Sequence, residues 1–337
     1  MKTGQLHKAI IHRRAVLAAL GGLLVAVSAP DGLQAQPAWP DRPVRLIVAS
    51  AAGGNADVVA RLVAAELEKS WKQPVVIENL AGASGMQGTE AVSKAAPDGY
   101  TLLVGTSSQL VFNMATFDPM PVDLPKTLRG VAMMNKVPLV LLVNKDDPDK
   151  TMQEYVTRLK ASSAKANYGS GPQGTTTHVV GLLWAKAAGL DVTHIPYRAG
   201  SEGLRDLMAG RLSHQFDVAV TAIPQVQSGA LKALAVTSRS RLASLPDVPT
   251  VIEAGIKDFE GSTWNSIAAP AGTPQAVVDK VNRDVAAALA QPGIRERLVA
   301  LGSEISPASS PAEVDAFYAK EREIWIPIVR DASKPRM

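Results

Sequence analysis

Short runs of β-branched and aliphatic residues alternate with longer stretches in which apolar side chains recur every three or four positions. This alternation is typical of an α/β protein built on a parallel sheet. The short runs predict strands near residues 43–49, 74–78, 100–105, 139–144, 166–168, 192–195, 215–220, 231–237 and 263–268. The longer stretches predict helices near residues 55–71, 89–95, 152–160, 175–188, 202–209, 273–290, 294–301 and 311–330.

Residues 1–35 have the pattern of a signal peptide. A basic segment is followed by residues 15–29, which carry no charge and are followed by small residues. That apolar stretch is shorter than the ~20 residues a membrane-spanning helix needs. We therefore expect cleavage after Ala29 or Ala35 and a periplasmic location. The sequence leaves open whether Arg13-Arg14 marks twin-arginine export or belongs to an ordinary leader.

The composition limits the classes of partner. The 337 residues suggest two domains, and the formal net charge is +4. Three of those four units lie in residues 1–35, so the rest of the chain is nearly neutral. Aromatic residues make up only 4% of the chain, which leaves little material for stacking nucleic-acid bases. The absence of cysteine excludes disulfides and thiolate metal sites. Nucleic acid is not an expected partner.

Three loops that follow predicted strands carry groups suited to an anion. Gly53-Gly54 leads into a helix, where backbone amides and the helix dipole favour negative charge. Residues 169–178 also lead into a helix, with Ser170, Thr175 and Thr176 as candidate hydroxyl contacts. Asp217 ends a strand, and two interpretations are open for it. It either accepts a hydrogen bond from a donor on the ligand or caps the following segment.

Ordered motifs occur at residues 39–48, 51–61, 73–79, 97–103, 168–174 with His178, 194–198, 231–237, 246–250 with 253–255, and 269–274. This series of motifs resembles the Bug family, the extracytoplasmic solute receptors of tripartite tricarboxylate transporters. The resemblance implies a two-lobed type II periplasmic-binding-protein fold (class α/β) with the ligand in the cleft. Lobe one would comprise residues 36–138 and 262–337, and lobe two residues 139–261, with hinge crossings near Pro138 and Trp264.

The loops and the resemblance together define a candidate site. The sequence departs from the family at Ala49-Ser50, where Pro-Phe is usual, and this change predicts a roomier or more polar pocket. It also departs at residues 113–116, where Asn-Pro often occurs. The candidate ligand-binding residues are Ser50, Ala52, Gly53, Gly54, Asn55, Ser107, Ser170, Gly174, Thr175, Thr176, Tyr197 and Asp217.

The expected function is capture of a small carboxylate by closure of the cleft, followed by delivery to the permease subunits of a membrane transporter. A di- or tricarboxylate, an aromatic acid and an amino acid all remain open as ligands. A receptor for a membrane sensor protein is the alternative function. An enzyme is disfavoured because there is no Gly-x-Ser-x-Gly elbow, no metal-ligand spacing and no dinucleotide or Walker motif. We expect no cofactor, no metal, no catalytic residue and a monomer.

Overall fold

A computed structural model describes residues 39–162 and 166–332. The expected signal peptide lies outside these residues, so its cleavage and export route stay predictions. Among the described helices, none is both long and apolar enough to cross a membrane.

Within the described part of the chain, ten strands form one sheet. β1 is flanked in parallel by β2 and β3, and β5 is flanked in parallel by β6 and β7. β9 is antiparallel to β3, and β4 is antiparallel to β9, β7, β8 and β10. The strands are β1 (Val44–Val48), β2 (Val75–Asn79), β3 (Thr101–Thr106), β4 (Leu128–Asn144), β5 (Ala166–Ser170), β6 (Val192–Pro196), β7 (His214–Val218), β8 (Leu231–Val236), β9 (Ser262–Pro270) and β10 (Glu304–Ile305).

The long strand β4 joins two parts of this sheet. From Leu128 to Pro138 it pairs with β9, and from Leu139 onward it pairs with β7 and β8. The change of partners falls at the hinge crossing predicted near Pro138. Movement of the two parts as lobes, with the stated boundaries, stays a prediction.

Helices cover the sheet because each buries an apolar stripe against it. In α1, Val59, Val63 and Leu67 recur every four residues and are fully buried, each contributing roughly 1.5–3 kcal/mol. The helix ends at Trp71, and the left-handed backbone of the C-cap residue Lys72 lets its N–H bond to the Glu68 carbonyl. The helices are α1 (Asn55–Trp71), α2 (Met86–Ser93), α3 (Asn113–Thr116), α4 (Leu124–Thr127), α5 (Met152–Ala161), α6 (Thr176–Ala188), α7 (Gly200–Met208), α8 (Ala219–Gln227), α9 (Gln275–Ala290), α10 (Pro292–Ala300) and α11 (Pro311–Ala332); a π-helical turn spans Ser108–Phe112.

The sequence pattern differs from the structure in three places. The sheet is mixed rather than parallel, because β4 and β9 run against their neighbours. β4 begins eleven residues before the predicted start at residue 139, in a stretch with Gly130 and Pro138 that lacks strand propensity. The strand predicted over 215–220 ends at Val218, and α8 begins at the next residue.

Candidate functional site

A cavity of about 260 Å³ lies at the carboxyl ends of β1, β3, β6 and β7, the usual position of ligands in open α/β sheets. The loops after β1 and β3, the starts of α6, α7 and α8, and the start of β9 form its wall. Its lining residues are Ser50, Ala51, Ala52, Gly53, Gly54, Asn55, Ala56, Thr106, Ser108, Gln109, Thr175, Thr176, Thr177, Ala199, Gly200, Ser201, Asp217, Val218, Thr221 and Thr263.

Four of the described helices direct their N-termini at this cavity, and in none of them does the side chain of the N-cap residue bond to an amide of the helix. The N-cap residues are Gly54 for α1, Thr175 for α6, Ala199 for α7 and Val218 for α8. All four line the cavity. Each uncapped terminus presents N–H groups and a partial positive charge. The cavity therefore favours negative charge without a lysine or arginine in its wall.

The loop before α1 is held by its own hydrogen bonds. Gly53 N–H donates to Asp57 Oδ2 at 2.8 Å, and Gly54 N–H donates to the Ala51 carbonyl at 3.2 Å. Burial would raise the pKa of Asp57, but hydrogen bonds from Arg61, Gly53 and Asn79 outweigh it and lower that pKa. Since both glycine amides are engaged, the amides of Asn55, Ala56 and Asp57 in the first helical turn are the ones without an acceptor among the described residues.

The loop before α6 is also fixed from within. Gly171 N–H donates to Thr177 Oγ1 at 3.1 Å, and Thr175 Oγ1 donates to the Pro172 carbonyl at 2.7 Å. Gly174, with φ +83°, donates its N–H to His178 Nδ1 at 3.3 Å. A loop held in this way presents the N–H groups of Thr177 and His178, in the first turn of α6, in a set geometry.

Thr176 links this loop to the segment after β3. Its Oγ1 lies 2.9 Å from Ser107 Oγ and 3.2 Å from Ser108 Oγ, and its N–H donates to Ser108 Oγ at 3.0 Å. Ser107 Oγ also lies 3.1 Å from Thr263 Oγ1. These buried hydroxyls connect α6, β3 and β9 around the cavity.

Asp217 is a buried acid in this wall, with 4% of its surface exposed. Thr221 Oγ1 donates to its Oδ2 at 2.8 Å. Burial raises the pKa of Asp217 to about 6, although the hydrogen bonds from Thr221 and the Val218 amide act in the opposite direction. The carboxyl group therefore sits where its charge is poorly compensated.

Behind the α6 loop lies a stack of aromatic rings that includes three histidines. The His178 and His194 ring centroids are 4.4 Å apart, and Tyr168 stacks between His194 and His214 at 4.9 and 5.8 Å. Ser170 Oγ lies 2.7 Å from His194 Nε2. Burial lowers the pKa of His178 to about 3, of His194 to about 4 and of His214 to about 3. All three imidazoles are therefore neutral near pH 7.

The structure brings eight of the twelve candidate residues into the cavity wall. Outside it, Ser107 bonds to Thr176, Ser170 turns to His194, and Gly174 packs against residues 113–116. Tyr197 directs its hydroxyl to Asp206 at 2.8 Å instead. The eight are Ser50, Ala52, Gly53, Gly54, Asn55, Thr175, Thr176 and Asp217.

Several residues that line the cavity are not among the site residues predicted from the sequence. Ala199, Gly200 and Ser201 lie at the start of α7, just past the loop after β6, so the rule that ligands lie at carboxyl ends of strands already indicates them. Thr221 lies in the first turn of α8, four residues after Asp217, but the sequence predicts a strand up to residue 220 and so does not indicate a helix start here. Thr263, at the start of β9, carries no local signal.

A second cavity, of about 670 Å³, is less suited to an anion. Four glutamates line it, and its two cations, Lys136 and Arg239, both pair with Glu260 at 2.8 Å. It therefore has excess negative charge. The other three glutamates in its lining are Glu304, Glu313 and Glu321.

Comparison with known proteins gives consistent results. A family model described as "Tripartite tricarboxylate transporter family receptor" matches residues 59–333. The solved structure of R. palustris Rpa4515 with adipate is 31% identical, with a TM-score of 0.84, covering 87% of this chain and 98% of that one. MatC from Rhodopseudomonas palustris with bound malate is 32% identical, with a TM-score of 0.81, covering 86% and 100%.

The periplasmic binding protein BugD is 32% identical, with a TM-score of 0.80, covering 87% of this chain and 98% of that chain. These similarities confirm the fold class expected from the resemblance, a mixed α/β periplasmic-binding-protein fold. They also confirm the resemblance to the Bug proteins.

Proposed function

Because the chain belongs to the tripartite tricarboxylate transporter receptor family, we propose that it is a periplasmic receptor that captures a small carboxylate and delivers it to a membrane transporter. The partners are the membrane permease subunits of such a transporter. The receptor acts as a monomer and carries out no reaction on its solute. Residues 1–35 direct its export and are then removed.

The observation that carries this proposal is the convergence of four uncapped helix N-termini on one cavity. The amides of Asn55 and Ala56 in α1, and of Thr177 and His178 in α6, have no acceptor among the described residues. A carboxylate is an acceptor-only group that satisfies such donors. The ligand-binding set is therefore centred on the first turns of these two helices.

Closure of the two lobes is the conformational change by which the receptor responds to its solute. Lobe one comprises residues 36–138 and 262–337, and lobe two residues 139–261, with the hinge where β4 changes partners at Pro138 and Leu139. A solute that touches α1 in one lobe and α6 in the other binds the closed state better and shifts the population toward it. Ser84 Oγ, which donates to the Gln173 carbonyl at 2.8 Å, supports the same closed state.

The size of the cavity and the related structures support a small carboxylate. A volume of about 260 Å³ suits a solute smaller than a typical drug. Related receptors hold adipate and malate. Ser50 lines the cavity, and its buried Oγ has no hydrogen-bond partner within the described residues, which makes this wall polar.

A calorimetric screen of mono-, di- and tricarboxylates, including aromatic acids and amino acids, tests the proposal. A true ligand at about 100 times its Kd raises the free energy of unfolding by roughly 2.7 kcal/mol, visible as a shift in Tm. Small-angle scattering with that ligand shows a more compact protein. Failure of every carboxylate to bind the folded protein would contradict the proposed function.

A further inference from the structure

Asp217 raises a question that the anion-binding helix termini do not answer, because a buried acid stands in the wall of a carboxylate site. We propose that the solute carries an ammonium group beside its carboxylate, and that Asp217 and Asn55 Oδ1 bind that ammonium. The proposal rests on the proposed function and narrows its substrate class to amino-substituted carboxylates.

Asp217 lacks a cationic partner. Among the described residues, its carboxyl group accepts hydrogen bonds from the neutral Thr221 hydroxyl and from the Val218 amide, and no lysine or arginine pairs with it. Its Oδ1 faces Gly200, where an added Cβ would lie only 3.3 Å away. Buried carboxylates are ordinarily compensated by a cation or by a proton. The hydrogen bonds from Thr221 and from the Val218 amide do not offset burial, which raises the pKa of Asp217.

Asn55 places a second acceptor in the same wall. Its residue is 8% exposed, and its Oδ1 is buried with no partner in the described structure. Its Nδ2 donates to Asn265 Oδ1 at 3.3 Å, and Asn265 Nδ2 donates to Asn135 Oδ1 at 2.7 Å. Asn135 Nδ2 in turn donates to Ser303 Oγ. Because all three amides point the same way, the chain ends at Asn55 Oδ1 as an acceptor beside the cavity.

An ammonium group fits these two acceptors better than the other donors that a carboxylate ligand offers. A hydroxyl supplies one proton and no charge, so it leaves the Asp217 carboxylate uncompensated. A second carboxylate would repel Asp217 unless a proton were taken up. An ammonium group has three donors and a positive charge, and it forms charge-assisted hydrogen bonds.

Asp217 is the acid of this wall whose burial raises its pKa to about 6. Val140, its partner on β4, is apolar, and Glu202 on α7 is occupied by the Arg198 amide at 3.2 Å. The pKa of Asp57 on α1 is lowered. The histidines of α6, β6 and β7 are His178, His194 and His214, and their pKa values lie at about 3 to 4.

Calorimetry with matched pairs of acids tests the inference: L-glutamate against glutarate, L-aspartate against succinate, and L-alanine against propionate. We expect the amino member of the best-binding pair to bind at least roughly tenfold more tightly. In Asp217→Asn, the ratio of the affinity for the amino acid to that for the plain acid falls below about threefold. In the matched control Asp206→Asn, which removes an acid of α7 outside the cavity wall, the ratio is unchanged.

The possible results separate the two proposals. Equal or tighter binding of the plain acids overturns the ammonium assignment and leaves the proposed carboxylate receptor intact. Failure of every acid in the panel to bind overturns the proposed function together with this inference.

Proton counting supplies a test that does not require the variant to fold. The wild-type protein is titrated near pH 6 in two buffers of different ionisation enthalpy. Binding of an ammonium next to Asp217 releases a proton, because the ligand favours the ionised carboxylate. Proton uptake on binding would overturn the proposal.

Discussion

Thr176 Oγ1 and Ser107 Oγ lie 2.9 Å apart, although 69 residues separate them in the sequence. Ser107 directly follows β3, and Thr176 begins α6. Both side chains are buried, so the contact is shielded from water. In the proposed lobe assignment this contact crosses the cleft and holds the wall of the cavity closed.

Replacing Thr176 by Val removes the hydroxyl and keeps the shape of the side chain. A buried hydrogen bond contributes about 1–2 kcal/mol, so we expect the affinity for the best carboxylate to fall roughly 5- to 30-fold. Calorimetry measures the change. Thr157→Val is the control, because its hydroxyl bonds to the Gln153 carbonyl of the same exposed helix. Equal losses in the two variants would argue against a role for Thr176 in closure.

Gly174→Ala tests whether the α6 loop must keep its packing. An added Cβ would lie 2.6 Å from Thr116 Oγ1 and 2.8 Å from Asn113 Oδ1, in a backbone with positive φ. Gly229→Ala has the same backbone cost, about 1 kcal/mol, but meets no atom within 4 Å. We expect both to lower Tm, and Gly174→Ala alone to weaken ligand binding. A similar affinity in both variants contradicts this expectation.

Ser170→Ala separates a structural from a ligand-contacting hydroxyl. The side chain is fully buried and bonds to the Gly171 carbonyl and to His194 Nε2. Its removal leaves the imidazole without that partner, so the free energy of unfolding drops by about 1–3 kcal/mol. Urea denaturation measures this loss, and calorimetry is expected to show less than a twofold change in affinity. A large loss of affinity in a protein of unchanged stability would indicate that Ser170 contacts the ligand directly.

The buried histidines predict that acid destabilises the protein. Because their folded pKa values are lowered, the unfolded chain binds more protons below pH 6.5, and stability is lost as pH falls toward about 4. At pH 5, the lowered pKa values of His178 and His214 together reduce the free energy of unfolding by about 4 kcal/mol relative to neutral pH. The more exposed His194 contributes a smaller loss. The pKa of Asp217 is raised, so its protonation below pH 6 partly offsets this loss.

Urea denaturation at several pH values measures the slope. His178→Asn keeps an acceptor for the Gly174 amide but cannot titrate. We therefore expect the free energy of unfolding of this variant to fall less steeply with decreasing pH, by the equivalent of about one bound proton. An identical slope would show that His178 does not stay neutral in the folded protein.

The sequence predicts those parts of the molecule that depend on local pattern. The stripe in α1 and the glycines before it follow from spacing and backbone freedom, so this helix start is predicted correctly. Strand β4 is not, because its first half is set by pairing with β9, more than a hundred residues away. The directions of Ser170 and Tyr197 depend on His194 and Asp206, which no local pattern shows.

The uncapped helix starts also carry a thermodynamic consequence. A serine or aspartate at an N-cap in place of an unsuitable residue is worth about 1 kcal/mol, and Ala199 and Val218 forgo it. Thr175 has the right side chain but directs its hydroxyl to Pro172. The ligand-free receptor is thus less stable than its fold allows. We expect variants selected only for heat resistance to acquire capping residues at these helix starts and to bind their solute more weakly.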